Sequence, residues 1–392
     1  MNDNKKLIGV LAIIMTVLIL ILAGLIKNDE KPVKTQSGYT QRVAMNTVTP
    51  SPTMGSLYIY ATPTPLGYDA YSYSDPVQTE DYTDTYTEEQ SYSPTEPIVS
   101  DYLPTDTPTP SPSPAPVYTG SSEIKVYFIN VGQGDSTLII DNGSAMMIDT
   151  GPKEAVGTIE AVLNENGVSQ IDTMVLTHPD ADHIQGAITL LDDYTVGNIY
   201  MPDYTKDNGT NRRLLSKINQ YQIPVYRPEA GAYIPFGTAS YQILGPILDA
   251  IPYYEEERDL ANFYSIVVKL TNGADTFLFM GDAPGAETDA ILNAGFDVSA
   301  KVFKAAHHGS ANEGCNNDAL WRAVNPEAVV ISCGLYNDHG HPHEEVMNEA
   351  KKRGCKLFRT DLQGTISCTS TGNGILWNTE PANDYRNGRA MY

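Results

Sequence analysis

The chain has 392 residues, with 48 Asp plus Glu against 25 Lys plus Arg and a formal net charge of −23. That balance excludes a generally basic nucleic-acid coat, because the overall field repels phosphate backbones. Length alone would allow two or three domains, but the 26 prolines and 25 tyrosines are unevenly distributed and remove part of the chain from the folded count. Residues 1–27 carry three Lys and one Asp (+2), residues 28–120 carry three basic and 12 acidic residues (−9), and the remainder sums to −16. The folded part is therefore itself acidic, and a nucleic-acid substrate would have to be held by a local basic patch or by metal ions.

Taken in chain order, Leu7 to Ile26 is an uncharged run of 20 residues, enough at ~1.5 Å per residue to cover the ~30 Å hydrocarbon core of a bilayer. Residues 1–27 are thus expected to form an uncleaved membrane anchor, with secretion after signal cleavage as the alternative. From residue 28 to 121 the chain reads TVTPSPT, ATPTP and PTDTPTPSPSPAP, too poor in aliphatic residues to bury a core. It is expected to be a disordered, extended stalk that holds the following domain off the membrane on its outer face. Composition changes at Glu123. Between there and Trp377, short β-type runs alternate with stretches of helical spacing, which predicts sheets covered by helices and a domain over 122–378, followed by a tail over 379–392. Strands are predicted at Ile124 to Asn130, Thr137 to Ile140, Ala145 to Ile148, Thr173 to Leu176, Ile199 to Met201, Tyr241 to Leu244, Ile266 to Leu270 and Thr276 to Met280. Four more are predicted at Lys301 to Ala305, Ala328 to Ser332, Lys356 to Arg359 and Thr365 to Cys368. Helices are predicted at Glu154 to Asn164, His183 to Leu191, Asn211 to Tyr221, Pro284 to Ala294, Asp318 to Val324 and His343 to Arg353.

Four cysteines contain no CxxC pair, which argues against a zinc knuckle. If Cys355 to Arg359 and Gly364 to Cys368 formed a hairpin, Arg359 would pair with Gly364 and Cys355 would fall opposite Cys368, close enough for a disulfide outside the cell. The seven histidines all lie in three clusters: His178 and His183, then His307 and His308, then His339, His341 and His343. The first cluster, THPDADH, follows an apolar strand and precedes a helical stretch. His178, Asp180, Asp182 and His183 therefore share one turn, where a dication would offset their crowded charge.

A strand, HxDxDH and a helix in succession resemble the signature of the metallo-β-lactamase fold. Asp180, in place of the more common middle histidine, is similar to the ComEC/Rec2-like branch. FINVGQGDS (128–136), MMIDTG (146–151), FLFMGDA (277–283), KAAHHGS (304–310) and GHPH (340–343) agree and occur in the family's order. The resemblance covers about residues 123 to 370 and implies an α/β fold of the αββα sandwich type with two divalent ions, Zn²⁺ foremost and Mn²⁺ also admitted by the oxygen-rich set. It implies that Asp282 bridges the ions, that His178, Asp180 and His307 hold one, and that Asp182, His183 and His341 hold the other. Asp149, at a strand end, is expected to hydrogen-bond a ligating histidine. Gln133, Asp135, Ser136, His308, Ser310 and His343 are expected to face substrate or buttress the ligands, and His339 to be a loop residue. Asp182, Asp282 and Asp149 are the expected catalytic carboxylates.

A bridging hydroxide would then be the nucleophile, and the resemblance to competence proteins implies phosphodiester hydrolysis. Two departures bear on that. The residues after the paired histidines read Ser310-Ala311-Asn312-Glu313, which removes a candidate phosphate-binding cation, and Asn262-Phe263-Tyr264-Ser265 only partly keeps an Asn-Asn-x-Ser pattern. A carboxylic ester, lactone or amide substrate is the second hydrolytic reading, and a non-catalytic metal-bound binding module the third. The expected partners are the membrane, through the N-terminal helix, and a nucleic acid or other phosphodiester as substrate; no protein partner is legible.

Overall fold

The computed structural model describes residues 122–251 and 260–391. The expected anchor at Leu7 to Ile26 and the expected stalk lie outside these residues. Among the described residues no helix is long and apolar enough to cross a membrane.

The first half of the domain lays down β1 (Ile124–Phe128), β2 (Ser136–Asp141), β3 (Ser144–Thr150), β4 (Gln170–Val175), β5 (Thr195–Tyr200) and β6 (Val225–Tyr226). The second half forms β7 (Ser240–Gly245), β8 (Val267–Asn272), β9 (Asp275–Phe279), β10 (Val302–Lys304), β11 (Ala328–Ile331) and β12 (Lys356–Arg359). The chain then returns to the first sheet with β13 (Ile366–Ser370) and β14 (Ile375–Trp377). The result is an eight-stranded sheet in the order β14-β13-β1-β2-β3-β4-β5-β6 and a six-stranded sheet in the order β12-β11-β10-β9-β8-β7.

Both faces of each sheet are covered, so the strands read as continuous apolar runs and successive residues serve different layers. Ile139, Met146, Tyr241, Val268, Phe277, Phe279, Val330 and Phe358 meet between the sheets. Their neighbours Leu138 and Met147 turn the other way, against Ile159 and Leu163 of the helix Val156–Glu165 and against Leu190, Leu214 and Ile218. On the far side Leu278, Phe303 and Val329 pack on Trp321, Met347 and Ala350. This is the expected αββα sandwich. Strands β3, β4 and β5 are mutually parallel, as are β9, β10, β11 and β12, and their carboxyl ends open at the loops that carry the motifs, the usual position for a site on parallel strands.

Two sequence expectations are corrected. The helix expected from His183 to Leu191 is two, Ala181–Ile184 and Ala187–Asp193. Thr150 divides them: a Cβ on Gly186 would lie 2.1 Å from the Thr150 carbonyl oxygen, and Thr150 Oγ1 donates to His183 O (3.0 Å) and accepts from Ala187 N (2.9 Å). Secondly, β12 and β13 are not a hairpin but lie in different sheets, so Cys355 is not brought opposite Cys368, and all four cysteines are free. The crossing is fixed by Arg359, which is fully buried. It forks onto Asp361 (3.0 and 2.6 Å) and donates through Nη1 to the carbonyls of Asp384 (3.3 Å) and Arg386 (2.5 Å). The tail after residue 378 lies against the domain, with Ala382 N donating to Leu357 O (2.7 Å) and Gly388 N to Pro342 O (2.9 Å). The two short strands β6 and β14 were not expected from the sequence.

Two predictions follow from this packing. A thiol titration of the denatured, unreduced domain is expected to count four free cysteines; one disulfide would contradict the sheet assignment. The second concerns Glu287, buried in the helix Gly285–Asn293, where its Oε1 has no hydrogen-bond partner among the described residues. Burial pushes its carboxyl well above the ordinary value of 4.5. The folded state therefore holds a proton that the unfolded state has released, so stability is fullest below the ordinary value and falls as pH rises toward the folded one. Glu287→Gln is expected to match the parent near about pH 4 and to exceed its urea midpoint at about pH 8.

Candidate metal centre

Asp149 ends β3 in a left-handed conformation (φ 57°), rare for a residue with a side chain. Its carboxylate accepts from Thr177 N (2.8 Å), Thr177 Oγ1 (2.7 Å) and His183 Nδ1 (2.8 Å). The bond to His183 fixes Nδ1 as the protonated nitrogen and turns Nε2 inward, the arrangement in which a carboxylate orients a ligating imidazole. Thr177 Oγ1 also lies 3.1 Å from His178 Nδ1. The first histidine cluster is thus held from beneath by the end of the neighbouring strand.

Asp282, just beyond β9, is buried, with its backbone N–H donating to Ser265 Oγ (3.1 Å). One carboxylate oxygen, Oδ2, faces four imidazole nitrogens: His183 Nε2 at 3.2 Å, His308 Nε2 at 3.5 Å, and His178 Nε2 and His307 Nε2 each at 3.7 Å. Burial by itself would raise the Asp282 carboxyl, but His183, His308 and His307 together hold it well below the ordinary range. The converse applies to His183: burial disfavours its proton, and Asp282, Asp149 and Asp182 outweigh burial and hold the imidazole well above its ordinary value.

His307 and His308 both adopt left-handed backbone (φ 48° and 54°) after β10. Asn316 holds the turn: its Oδ1 accepts Ala306 N (2.9 Å) and its Nδ2 donates to Ala306 O (2.8 Å) and Ser310 O (2.7 Å). Strain on consecutive residues needs such support, and it aims both rings at Asp282. His308 Nδ1 faces the Ser332 carbonyl (3.1 Å), and its Nε2 lies 3.3 Å from both Asp182 Oδ2 and His183 Nε2. The histidine that lies against Asp182 and His183 is His308, where His341 was expected.

His341 instead lies on the far side of the pair, its ring centroid 5.6 Å from His307 and 6.1 Å from His308, with Nδ1 3.5 Å from Gln133 Nε2. Burial and the neighbouring imidazoles of His308 and His307 press its pKa down to about 2, so it is neutral. His343 accepts from Ala311 N through Nδ1 (2.9 Å) and stacks edge-on to His341; His339 lies over His341 with ring centroids 5.4 Å apart. Ser310, expected near substrate, is fully buried and accepts Asn312 N (3.1 Å). Ser136 is likewise fully buried.

Asp135 is placed deeper than the rim expected of it. Its carboxylate receives Lys304 Nζ at 2.8 Å, both groups being buried. Donor atoms of Asp135, His183, Asp282 and His308 all lie within 4.8 Å of one another. The glycine before it is obligatory: Gly134 has φ 144°, and a Cβ there would sit 2.4 Å from the Asp182 carbonyl oxygen, the same carbonyl that accepts Asp135 N (3.1 Å). Asn316, Lys304 and the depth of Asp135 were missed by the sequence reading. Lys304 carried a signal, being the one cation in the strand VFK, where burial demands a counter-charge.

These residues fit divalent ions. At a ligand distance of ~2.1 Å, tetrahedral donors lie ~3.4 Å apart, and the separations around Asp282 Oδ2 run from 3.2 to 3.7 Å. His178 Nε2 and Asp282 Oδ1 are buried without a hydrogen-bond partner among the described residues, an arrangement that folded proteins avoid unless something else satisfies the atoms. His178 Nε2 lies 4.0 Å from Asp180 Oδ2. The structure thus brings His178 to Asp180 and His308 to Asp182 and His183, with the rings of His178, His183, His307 and His308 all around Asp282.

Residues 129–332 match the metallo-beta-lactamase superfamily, and the chain belongs to that superfamily; within it the chain is similar to ComEC/Rec2-like proteins. It is 26% identical over 266 residues to ComE operon protein 3 of Bacillus subtilis (63% of this chain, 33% of that protein). It is 27% identical over 248 residues to Competence protein ComA of Neisseria gonorrhoeae (62% and 32%), and 26% identical over 243 residues to Recombination protein 2 of Haemophilus influenzae (61% and 28%). The chain spans about a third of the length of these relatives.

Asp149→Asn keeps the shape but loses the charge that orients His183. It is expected to lower the affinity for Zn²⁺ by about 10- to 100-fold, measured by competition with a chromophoric chelator, while the far-ultraviolet circular dichroism spectrum stays that of the parent.

Proposed function

We propose that the domain is a dinuclear metal-dependent phosphodiesterase, carried on the outer face of the cell membrane by the N-terminal helix and stalk. The observation that carries this reading is the single Asp282 oxygen with four imidazole nitrogens around it. Four imidazoles around one buried carboxylate, with Asp180 and Asp182 beside them, are more donors than one tetrahedral ion takes and are suited to two. The names of the relatives, a competence protein and a recombination protein, favour a nucleic-acid phosphodiester over a carboxylic ester.

Zn²⁺ or Mn²⁺ bound there would make an attacking water acidic at neutral pH and neutralise charge developing on the phosphoryl oxygens. The residues divide the remaining work. Asp149 and the Ser332 carbonyl keep His183 and His308 in the tautomers that present Nε2 inward. Burial by itself would raise the Asp182 carboxyl, but His183 and His308 hold it well below the ordinary range, so it serves the centre as a standing negative charge. Neutral His341 lines the substrate side; Gln133 accepts Gly334 N through Oε1 (3.1 Å), so its amide N–H₂ turns to His341 Nδ1 and leaves Nε2–H to donate outward. The ion pair of Lys304 with Asp135 keeps one negative charge of the centre compensated from inside the sheet.

Asp282→Asn and Asp182→Ala are each expected to reduce hydrolysis of bis-nitrophenyl phosphate to background while preserving the circular dichroism spectrum. The two histidines should separate: His308→Ala lowers the metal bound per chain, measured by elemental analysis, whereas His341→Ala keeps the metal and raises KM. Equal metal loss in both variants, or turnover surviving in Asp282→Asn, would overturn the assignment.

A further inference from the structure

The sequence lacks a cation after the paired histidines, yet the fold supplies one from another loop. Lys206 lies between β5 and the helix Gly209–Tyr221, and its Nζ pairs with Asp180 Oδ1. The other oxygen of that carboxylate faces His178. The loop is fixed against the metal-binding turn: Asn208 caps the helix by accepting Asn211 N (2.9 Å), and Asn211 Nδ2 donates to Pro179 O (3.0 Å), inside THPDADH. Asn208 N also donates to Lys206 O (2.9 Å). Two residues before Lys206, the ring of Tyr204 stacks on Tyr264, centroids 4.4 Å apart and planes 11° apart. Both rings are half-buried, and Tyr264 directly precedes Ser265, whose hydroxyl holds the Asp282 backbone. A cation and an aromatic stack therefore border the same edge of the centre.

Lys206 is the counter-charge of Asp180. An ion held on the His178 side of Asp180 would draw on that negative charge, weakening the pairing and repelling the ammonium. Lys206 is 31% exposed on a flexible stem, so it is free to turn toward a phosphoryl oxygen while the tyrosine stack offers a face to a base. We propose that Lys206 with Tyr204 and Tyr264 forms the substrate subsite that takes a phosphoryl oxygen and the adjoining base of a nucleotide phosphodiester. Lys206 changes partner from Asp180 to substrate when the centre is loaded. This rests on the phosphodiesterase reading for its ligand class, but its test does not depend on turnover.

The full-length protein, loaded with Zn²⁺, would be titrated calorimetrically with inorganic phosphate and, separately, with thymidine 5′-monophosphate. Lys206→Met is expected to weaken both by about tenfold or more, the loss of one charge-assisted contact, and Lys206→Arg to restore most of it. Tyr264→Leu is expected to weaken thymidine 5′-monophosphate alone. Chelator competition should show Lys206→Met binding Zn²⁺ as tightly as the parent or more tightly, because a competing cation is gone. Unchanged phosphate binding in Lys206→Met, or loss of its Zn²⁺, would overturn the subsite and leave Lys206 a structural residue. If the parent binds the nucleotide through Lys206 and Tyr264 yet hydrolyses no phosphodiester, the reaction is wrong and the subsite stands. If the parent hydrolyses bis-nitrophenyl phosphate and Lys206→Met does so with the same KM, the subsite alone fails.

Discussion

A buried carboxylate facing four imidazoles is costly in a dry interior, and much of this domain is organised to hold Asp282 in that position. Bringing these groups out of water is offset only when their charges are matched and their remaining polar atoms bonded. Here the matching is done by residues from several loops: Asp149 beneath His183, the Ser332 carbonyl behind His308, and Ser265 under the Asp282 backbone. What the protein's own groups leave unmatched, notably His178 Nε2 and Asp282 Oδ1, is what divalent ions would complete.

The same logic governs the surrounding acids. Asp135 is answered by Lys304 and Asp180 by Lys206, so the carboxylates around the centre differ in how strongly they are already engaged. Lys304 is enclosed and fixed, whereas Lys206 retains access to solvent. One cation therefore belongs to the architecture, and the other is able to change partner. In an acidic chain, such placement gives an anionic substrate a local approach that the net charge would deny it.

The layered fold was legible because both faces of each sheet are buried, which produces the apolar runs that mark β3, β9 and β11. The location of the site was legible for a related reason: histidines and acids occur where those runs stop. Choosing between His308 and His341 was not, because it depends on two consecutive left-handed residues held by Asn316, and backbone sign leaves no trace in spacing. The break at Gly186 escaped notice since it is imposed by Thr150, remote along the chain. The supposed pairing of Cys355 with Cys368 failed because local spacing cannot show that residues 360–365 cross from one sheet to the other, with Arg359 bonded at the crossing to carbonyls of the segment after residue 378.

The donors around Asp282 come from both halves of the sandwich: His178 and His183 follow β4 of one sheet, while Asp282 and His308 follow β9 and β10 of the other. An ion gripped by both would act as a clasp across the layers, since neither sheet by itself supplies the full grip. Ion occupancy and docking of the two layers would then be thermodynamically linked, and scarcity of free ion would loosen the seam between them.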